Sequence, residues 1–290
     1  VEDILTVDKL TKTYRRGFIP KPVLALKEAS FAVKKGRITG FIGANGAGKT
    51  TTIRCLLNFT HLDSGRFFFF GTPGFGSEAR KRVGYLPEHP HFYGFLSGFE
   101  FLKFYAQLSG KKKQASEIMD ALEAVRLKEA ADRPLSAYSK GMLQRVGLAQ
   151  AMIHKPELLI LDEPMSGLDP DGRRLVRNIL LEVAQRGVTL FFSTHLLDDA
   201  ENLCDDIVLM AQGKVVYAGS LEKVLLQSSG QHLLRFEDEA HALHQEEVAG
   251  LDKANHRIRE ILASGGRIVE VSRSRRRLED VFSQWTGGPS

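Results

Sequence analysis

Gly43-Ala-Asn-Gly-Ala-Gly-Lys-Thr50 constrains this chain more than any other stretch. It has the spacing of a phosphate-binding loop: Gly, four residues, then Gly-Lys-Thr. Arg37-Ile-Thr-Gly-Phe-Ile42 before it predicts a buried strand, and Thr51-Thr-Ile-Arg-Cys-Leu-Leu57 after it predicts a helix. A strand that runs through a Gly-rich turn into a helix is the context such a loop requires. Gly43, Gly46 and Gly48 let the backbone turn tightly and present N–H groups to phosphate oxygens. The helix start adds its positive dipole end. Lys49 is placed to reach β- and γ-phosphates, and the Thr50 hydroxyl to ligate Mg²⁺. A Gly-rich turn with a solvated Lys is the bland alternative, and it leaves the flanking strand and helix unexplained.

The chain has 290 residues, 43% hydrophobic and 26% charged, enough for one large domain and a smaller one. No apolar run approaches the roughly 18 residues needed to span a bilayer. Phe67-Phe-Phe-Phe70 is only strand-length, and no signal-peptide pattern opens the chain. Cys55 and Cys204 lie far apart and read as buried reduced thiols. A net charge of +5 suits an anionic ligand or surface but is no nucleic-acid signature. The one dense basic cluster, Arg273 with Arg275, Arg276 and Arg277, reads as a solvated turn. His89 and His91 flank Pro90, and His241 and His244 sit at helical spacing. Neither pair has companion ligands, so no metal site is expected there.

Strand-like runs Ile4–Val7 and Ala29–Val33 precede the strand into the loop, and Lys35-Gly36 predicts a hairpin-type turn. Further strands are expected at 66–70, 83–86, 158–161, 188–192 and 207–210. Helices are expected over 97–125, 140–154, 171–186 and 196–203. Strands alternating with helices predict an α/β fold with a mainly parallel core sheet. The helical stretch from Ser97 to His154 reads as an insertion into it. Near Gly219 the character changes, and Ser228-Ser-Gly230 reads as a linker. Beyond it strand, helix, strand and helix patterns at 232–236, 257–263, 267–271 and 278–285 predict a small C-terminal lobe.

Asp162-Glu163-Pro164 follows the apolar run Leu158–Leu161, and α/β sheets place ligand chemistry at such strand ends. Asp162 is suited to hold Mg²⁺, usually through water, and Glu163 to polarise an attacking water as general base. Upstream, Ser139 is a natural N-cap, and Gly141 lets a phosphate approach the backbone of the next helix. Downstream come Ser166-Gly-Leu-Asp169 and Ser193-Thr-His195, where His195 can hydrogen-bond a γ-phosphate. Taken alone, each of these reads better as a cap, a turn or a core-edge His; in this order and at these strand ends the set leaves little room for that.

With these motifs in place, residues 1 to about 220 resemble the ATP-binding cassette (ABC) family. The resemblance implies an α/β fold with a P-loop NTPase core and an N-terminal antiparallel β subdomain. A helical insertion at about 88–155 and an α+β accessory lobe at 221–290 complete it. It makes 43–50 the Walker A loop, with Gly43, Asn45, Gly46, Ala47, Gly48, Lys49, Thr50 and Thr51 binding ATP. Tyr14 resembles the adenine-stacking aromatic, Leu158–Asp162 the Walker B strand, and Glu163 the catalytic carboxylate. Ser139 and Gly141 match the signature motif, Ser166–Asp169 the D-loop, and His195 the switch histidine. Thr50 and Asp162 would hold Mg²⁺. Glu88 stands where the family usually has a metal-contacting Gln, and Lys140 where the signature usually has Gly.

The resemblance implies an ATP-hydrolysing subunit that energises a separate transmembrane permease from the cytoplasmic face of the membrane. ATP would be sandwiched between this chain and a second copy or similar cassette. The tail Leu278-Glu-Asp-Val-Phe282 is similar to exporter-type cassettes. Phe92, Tyr93, Phe95 and Phe99 are candidate permease contacts, or they pack the insertion's own core. No nucleic-acid partner is expected. A soluble cassette ATPase in translation or DNA maintenance is the alternative. It usually carries two fused cassettes or a long coiled-coil insertion, and neither pattern is visible. A regulatory module without turnover is disfavoured by the joint presence of Lys49, Asp162, Glu163 and His195.

Overall fold

The computed structural model describes residues 2–16, 21–110, 113–227, 231–273 and 278–286. They form two compact units, Val1–Gly219 and Ser220–Ser290. In the first, β1 (Asp3–Arg16) and β2 (Lys21–Lys34) are followed by β3 (Ile38–Ile42) and α1 (Lys49–Leu56). Next come β4 (Ser64–Phe69), β5 (Thr72–Pro73), α2 (Ser77–Arg82) and β6 (Val83–Leu86). The insertion supplies α3 (Gly98–Leu108), α4 (Ala115–Ala124) and α5 (Lys140–Met152). Then β7 (Leu158–Leu161), α6 (Pro170–Gln185), β8 (Thr189–Thr194), α7 (Leu197–Leu203), β9 (Asp206–Ala211) and β10 (Lys214–Ser220) complete the unit.

The core sheet has the order β10-β9-β3-β8-β7-β6. Its strands from β9 to β6 run parallel. Side chains alternate across a strand, so a strand covered on both faces must be apolar throughout. Leu158–Leu161 shows this directly. Leu158 and Ile160 enter one hydrophobic cluster and Leu159 and Leu161 another. All four are 0% exposed, and burying such a side chain is worth about 1.5–3 kcal/mol.

A second, antiparallel sheet, β2-β1-β4-β5, shares the first of these cores. Phe31 of β2 lies 5.5 Å from Phe41 of β3 and 5.7 Å from Phe191 of β8, ring centre to ring centre. This aromatic trio joins the two sheets. It also corrects the expected hairpin at Lys35-Gly36. β2 pairs with β1, and β3 pairs with β8 and β9, so that turn carries the chain between sheets.

The helical pattern over 97–125 resolves into two helices, with Gly110 following the first at a φ of 74°. Ser97 starts α3 with a capping box, its side chain and that of Glu100 each bonding the other's backbone N–H. Phe92 and Phe99 pack against the core, whereas Tyr93 and Phe95 are 51% and 80% exposed. Among the described residues no helix is long and apolar enough to cross a membrane.

The second unit holds α8 (Leu221–Gln227), β11 (Gln231–Glu237), β12 (Leu243–Ala249), α9 (Leu251–Ala263), β13 (Arg267–Arg273) and α10 (Leu278–Thr286). Its antiparallel sheet has the order β12-β11-β13 and α9 packs on it. The helical spacing of His241 and His244 misleads. His241 sits in a turn at a φ of 61°, and His244 lies in β12 with its Nε2 2.8 Å from Asp238 Oδ2. The linker at 228–230 and the arginines at 275–277 lie outside the described residues.

Candidate functional site

β3, β8, β7 and β6 are consecutive neighbours in a parallel array, so their C-terminal ends line up along one edge. The loop 43–48 leaves β3, Ser193–His195 closes β8, Asp162-Glu163 follows β7 and Glu88 follows β6. Sheet order alone therefore gathers residues that are far apart in the chain. Gly48 carries a φ of 113°, and a Cβ there would lie 2.8 Å from the Ala25 carbonyl oxygen. Only glycine fits that position.

Lys49 is 5% exposed. Its Nζ donates to the Gly43 carbonyl at 2.6 Å and pairs with Glu163 Oε1 at 3.3 Å. The other Glu163 oxygen lies 2.8 Å from His195 Nδ1, which must carry the hydrogen toward a carboxylate. One carboxylate thus ties Lys49 to His195 at the end of the neighbouring strand. Glu163 itself sits at a φ of 49°. A side chain held in the left-handed region costs on the order of 1 kcal/mol, and such strain collects at working sites.

Asp162 is 1% exposed. It accepts hydrogen bonds from Ser193 Oγ at 2.6 Å and Thr50 Oγ1 at 3.3 Å. Burial pushes its carboxyl above the usual range, against the pull of those two hydroxyls; the charges of Glu88 and Glu163 push the same way. Ser193 Oγ also accepts the Glu163 N–H at 2.9 Å. It holds both acidic residues, and it was not singled out from the sequence although Ser193-Thr-His195 was noted. A buried serine ending a strand beside an acidic pair is the signal that could have found it.

A cleft of about 670 Å³ opens above these groups. Tyr14, Asn45, Gly46, Gly48, Lys49, Thr50, Thr51, Glu88 and Glu163 line it, as expected residues brought together. Val23, Leu24, Ala25, Lys27, Gln212 and Gly213 also line it, and no sequence motif points to them. Val23 pairs with Tyr14 across β1 and β2, so the aromatic and the aliphatic wall arrive together. Among the described residues no three His, Cys, Asp or Glu side chains are arranged to hold a metal ion by themselves. Thr50 and Asp162 still present adjoining hard oxygen donors, which suits Mg²⁺ once phosphate oxygens and water fill the remaining positions.

Ser139, Gly141 and Asp169 do not reach that cleft. They line a separate one of about 480 Å³ with Lys140 and Gly167. Ser139 caps α5 by accepting the Met142 N–H at 3.3 Å, and Asp169 caps α6 by accepting the Gly172 N–H at 3.2 Å. The Lys140 ammonium lies over Gly167, where any Cβ would collide with it.

Residues 26–166 match the family model described as ABC transporter. An uncharacterized ABC transporter ATP-binding protein of Synechocystis is 43% identical over 240 residues, covering 81% of this chain and 68% of that protein. The chain is an ABC transporter ATP-binding protein. This ABC protein is also 32% identical over 313 residues to the bacitracin transport ATP-binding protein BcrA of Enterococcus faecalis, covering 99% of this chain and 98% of that one. Among solved structures it resembles cbiO1 of Clostridium perfringens, part of the ABC transporter complex cbiONQ. The TM-score is 0.65 at 30% identity, over 77% of this chain and 91% of that one. The larger unit is thus an ABC ATPase cassette, a family that binds and hydrolyses ATP.

Proposed function

We propose that this cassette hydrolyses ATP between two copies of itself, or beside a similar cassette, to drive export through a separate transmembrane permease. The observation that carries this reading is the separation of the two clefts. The residues that hold phosphates and those that match the signature motif share no lining residue within one chain. A second cassette, facing the first, supplies the missing half.

In this reading the triphosphate lies along loop 43–48, with backbone N–H groups and Lys49 against its oxygens. The adenine stacks on Tyr14, with Val23 and Leu24 as the apolar wall. Thr50 and Asp162 would hold Mg²⁺, with Glu88 lining the same cleft as Thr50. When bound, that ion draws charge from the β- and γ-phosphates. Glu163 accepts the proton of the attacking water, His195 fixes the carboxylate's direction, and Ser193 fixes its backbone. Ser139, Gly141 and Asp169 of the opposing copy close over the γ-phosphate. ATP favours the closed pair only as far as it binds that pair better.

Tyr93, Phe95 and Phe104 form an exposed aromatic group, with Tyr93 6.0 Å from Phe95 and 6.2 Å from Phe104. It is the surface that would meet the permease. Export follows from the similarity of the tail 278–282 to exporter-type cassettes, and the position on the cytoplasmic face from where ATP is. Affinity purification of the full chain from native membranes tests the reading. A co-purifying polytopic membrane protein is expected; recovery with ribosomes or DNA would overturn it.

A further inference from the structure

The exposed rings and the signature turn belong to two segments that are laced together. The Phe99 N–H donates to the Ala131 carbonyl at 2.9 Å, and Ser97 forms a bridge with Pro134. The Leu135 N–H donates to the Leu96 carbonyl at 2.8 Å, and the Ser136 N–H to the Gly94 carbonyl at 2.9 Å. Tyr93 and Phe95 stand on the first segment. The second ends at Tyr138, the residue before Ser139.

Tyr138 is 7% exposed, and its hydroxyl donates to the Ala130 carbonyl at 2.7 Å. The same hydroxyl lies against Gly98, the first residue of α3; a Cβ at Gly98 would collide with it. A buried tyrosine needs a partner for its hydroxyl, and an apolar side chain of similar size does not. Here the hydroxyl bonds back to Ala130, next to the Ala131 carbonyl that holds Phe99, and packs against the start of α3. Arg145, on α5 itself, ties that helix to the end of α4. It donates to the Gly141 carbonyl at 3.3 Å and to the Val125 and Arg126 carbonyls at 3.1 and 2.9 Å.

We infer that Tyr138 is a positioning residue. Its hydroxyl, seated between Ala130 and Gly98, fixes where Ser139 and Gly141 stand relative to the segment that carries Tyr93 and Phe95. A displacement of that segment then moves the signature turn as one piece. This inference rests on the two-copy reading of the ATP site. Coupling of this kind is demonstrated by non-additive substitutions rather than by proximity.

The test is a double-mutant cycle in the full chain, with ATPase kinetics per folded molecule well below the melting temperature. Tyr138→Phe removes only the hydroxyl. It is expected to lower kcat about threefold to tenfold, the range of one neutral hydrogen bond, with KM for ATP unchanged. Ser139→Ala is expected to lower kcat on its own, and adding Tyr138→Phe to lower it no further. Gly98→Ala, which displaces the hydroxyl from the other side, should match Tyr138→Phe. A lower melting temperature with unchanged kcat would make Tyr138 purely structural and overturn the inference, as would full additivity with Ser139→Ala. If Ser139→Ala alone leaves kcat unchanged, the two-copy reading itself fails.

Discussion

Lys49, Asp162 and Glu163 are 5%, 1% and 7% exposed, whereas Ser139, Lys140 and Asp169 of the second cleft stand in solvent. The first group is buried at the C-terminal edge of a parallel sheet, where an unpaired charge is expensive, so each member holds a partner. Lys49 meets Glu163, Glu163 meets His195, and Asp162 meets Ser193. In the second group Ser139 and Asp169 cap their own helices, and the Lys140 ammonium rests over Gly167. One half-site is assembled by the fold itself. The other is an exposed surface, which in the proposed function complements a second cassette.

Substitutions can break that contrast, and their effects should be larger in the buried group than in the exposed one. Glu163→Gln should lower turnover most, by about 10²–10⁴-fold, the usual contribution of a general base. Wild-type turnover in steady-state assays would remove Glu163 from that role. Lys49→Ala should weaken nucleotide binding about tenfold to a hundredfold, since hydrogen bonds to charged groups are worth about 1.5–3 kcal/mol. Unchanged affinity in a fluorescent-nucleotide titration would sink the phosphate-loop assignment. Ser193→Ala leaves both the Asp162 carboxylate and the Glu163 N–H short of a partner. A loss of about 1–3 kcal/mol of stability is expected, read as a fall of a few degrees or more in melting temperature. An unshifted melting curve would mean that water or a neighbour replaces the hydroxyl. At the exposed half, Ser139→Ala should leave nucleotide affinity untouched and lower turnover by about tenfold or less. A change in affinity equal to that in turnover would place Ser139 beside its own chain's nucleotide.

The same contrast explains what the sequence disclosed. The loop 43–50, the apolar strand before Asp162 and the cap at Ser139 are local patterns, readable from spacing and residue type. The parallel core and the helical insertion followed from alternating periods. What escaped depends on pairing between distant segments. The turn at Lys35-Gly36 looks like a hairpin because nothing local tells which sheet the next strand joins. Strand β12 is largely exposed, so its alternation is weak and the chance spacing of two histidines competed with it. Ser193 escaped because its two partners lie 30 and 31 residues away. Val23 and Leu24 wall the cleft only because β2 folds back beside Tyr14.

The central claim is that ATP is held between two cassettes. Glu163→Gln should bind ATP without releasing it as product, so the closed pair should accumulate. Sedimentation of that full-length variant with ATP and Mg²⁺ should show a species of twice 32.3 kDa, dispersing when nucleotide is removed. If the variant binds ATP stoichiometrically yet sediments as a monomer at every concentration, and no permease or second cassette restores pairing, the two-copy account is wrong.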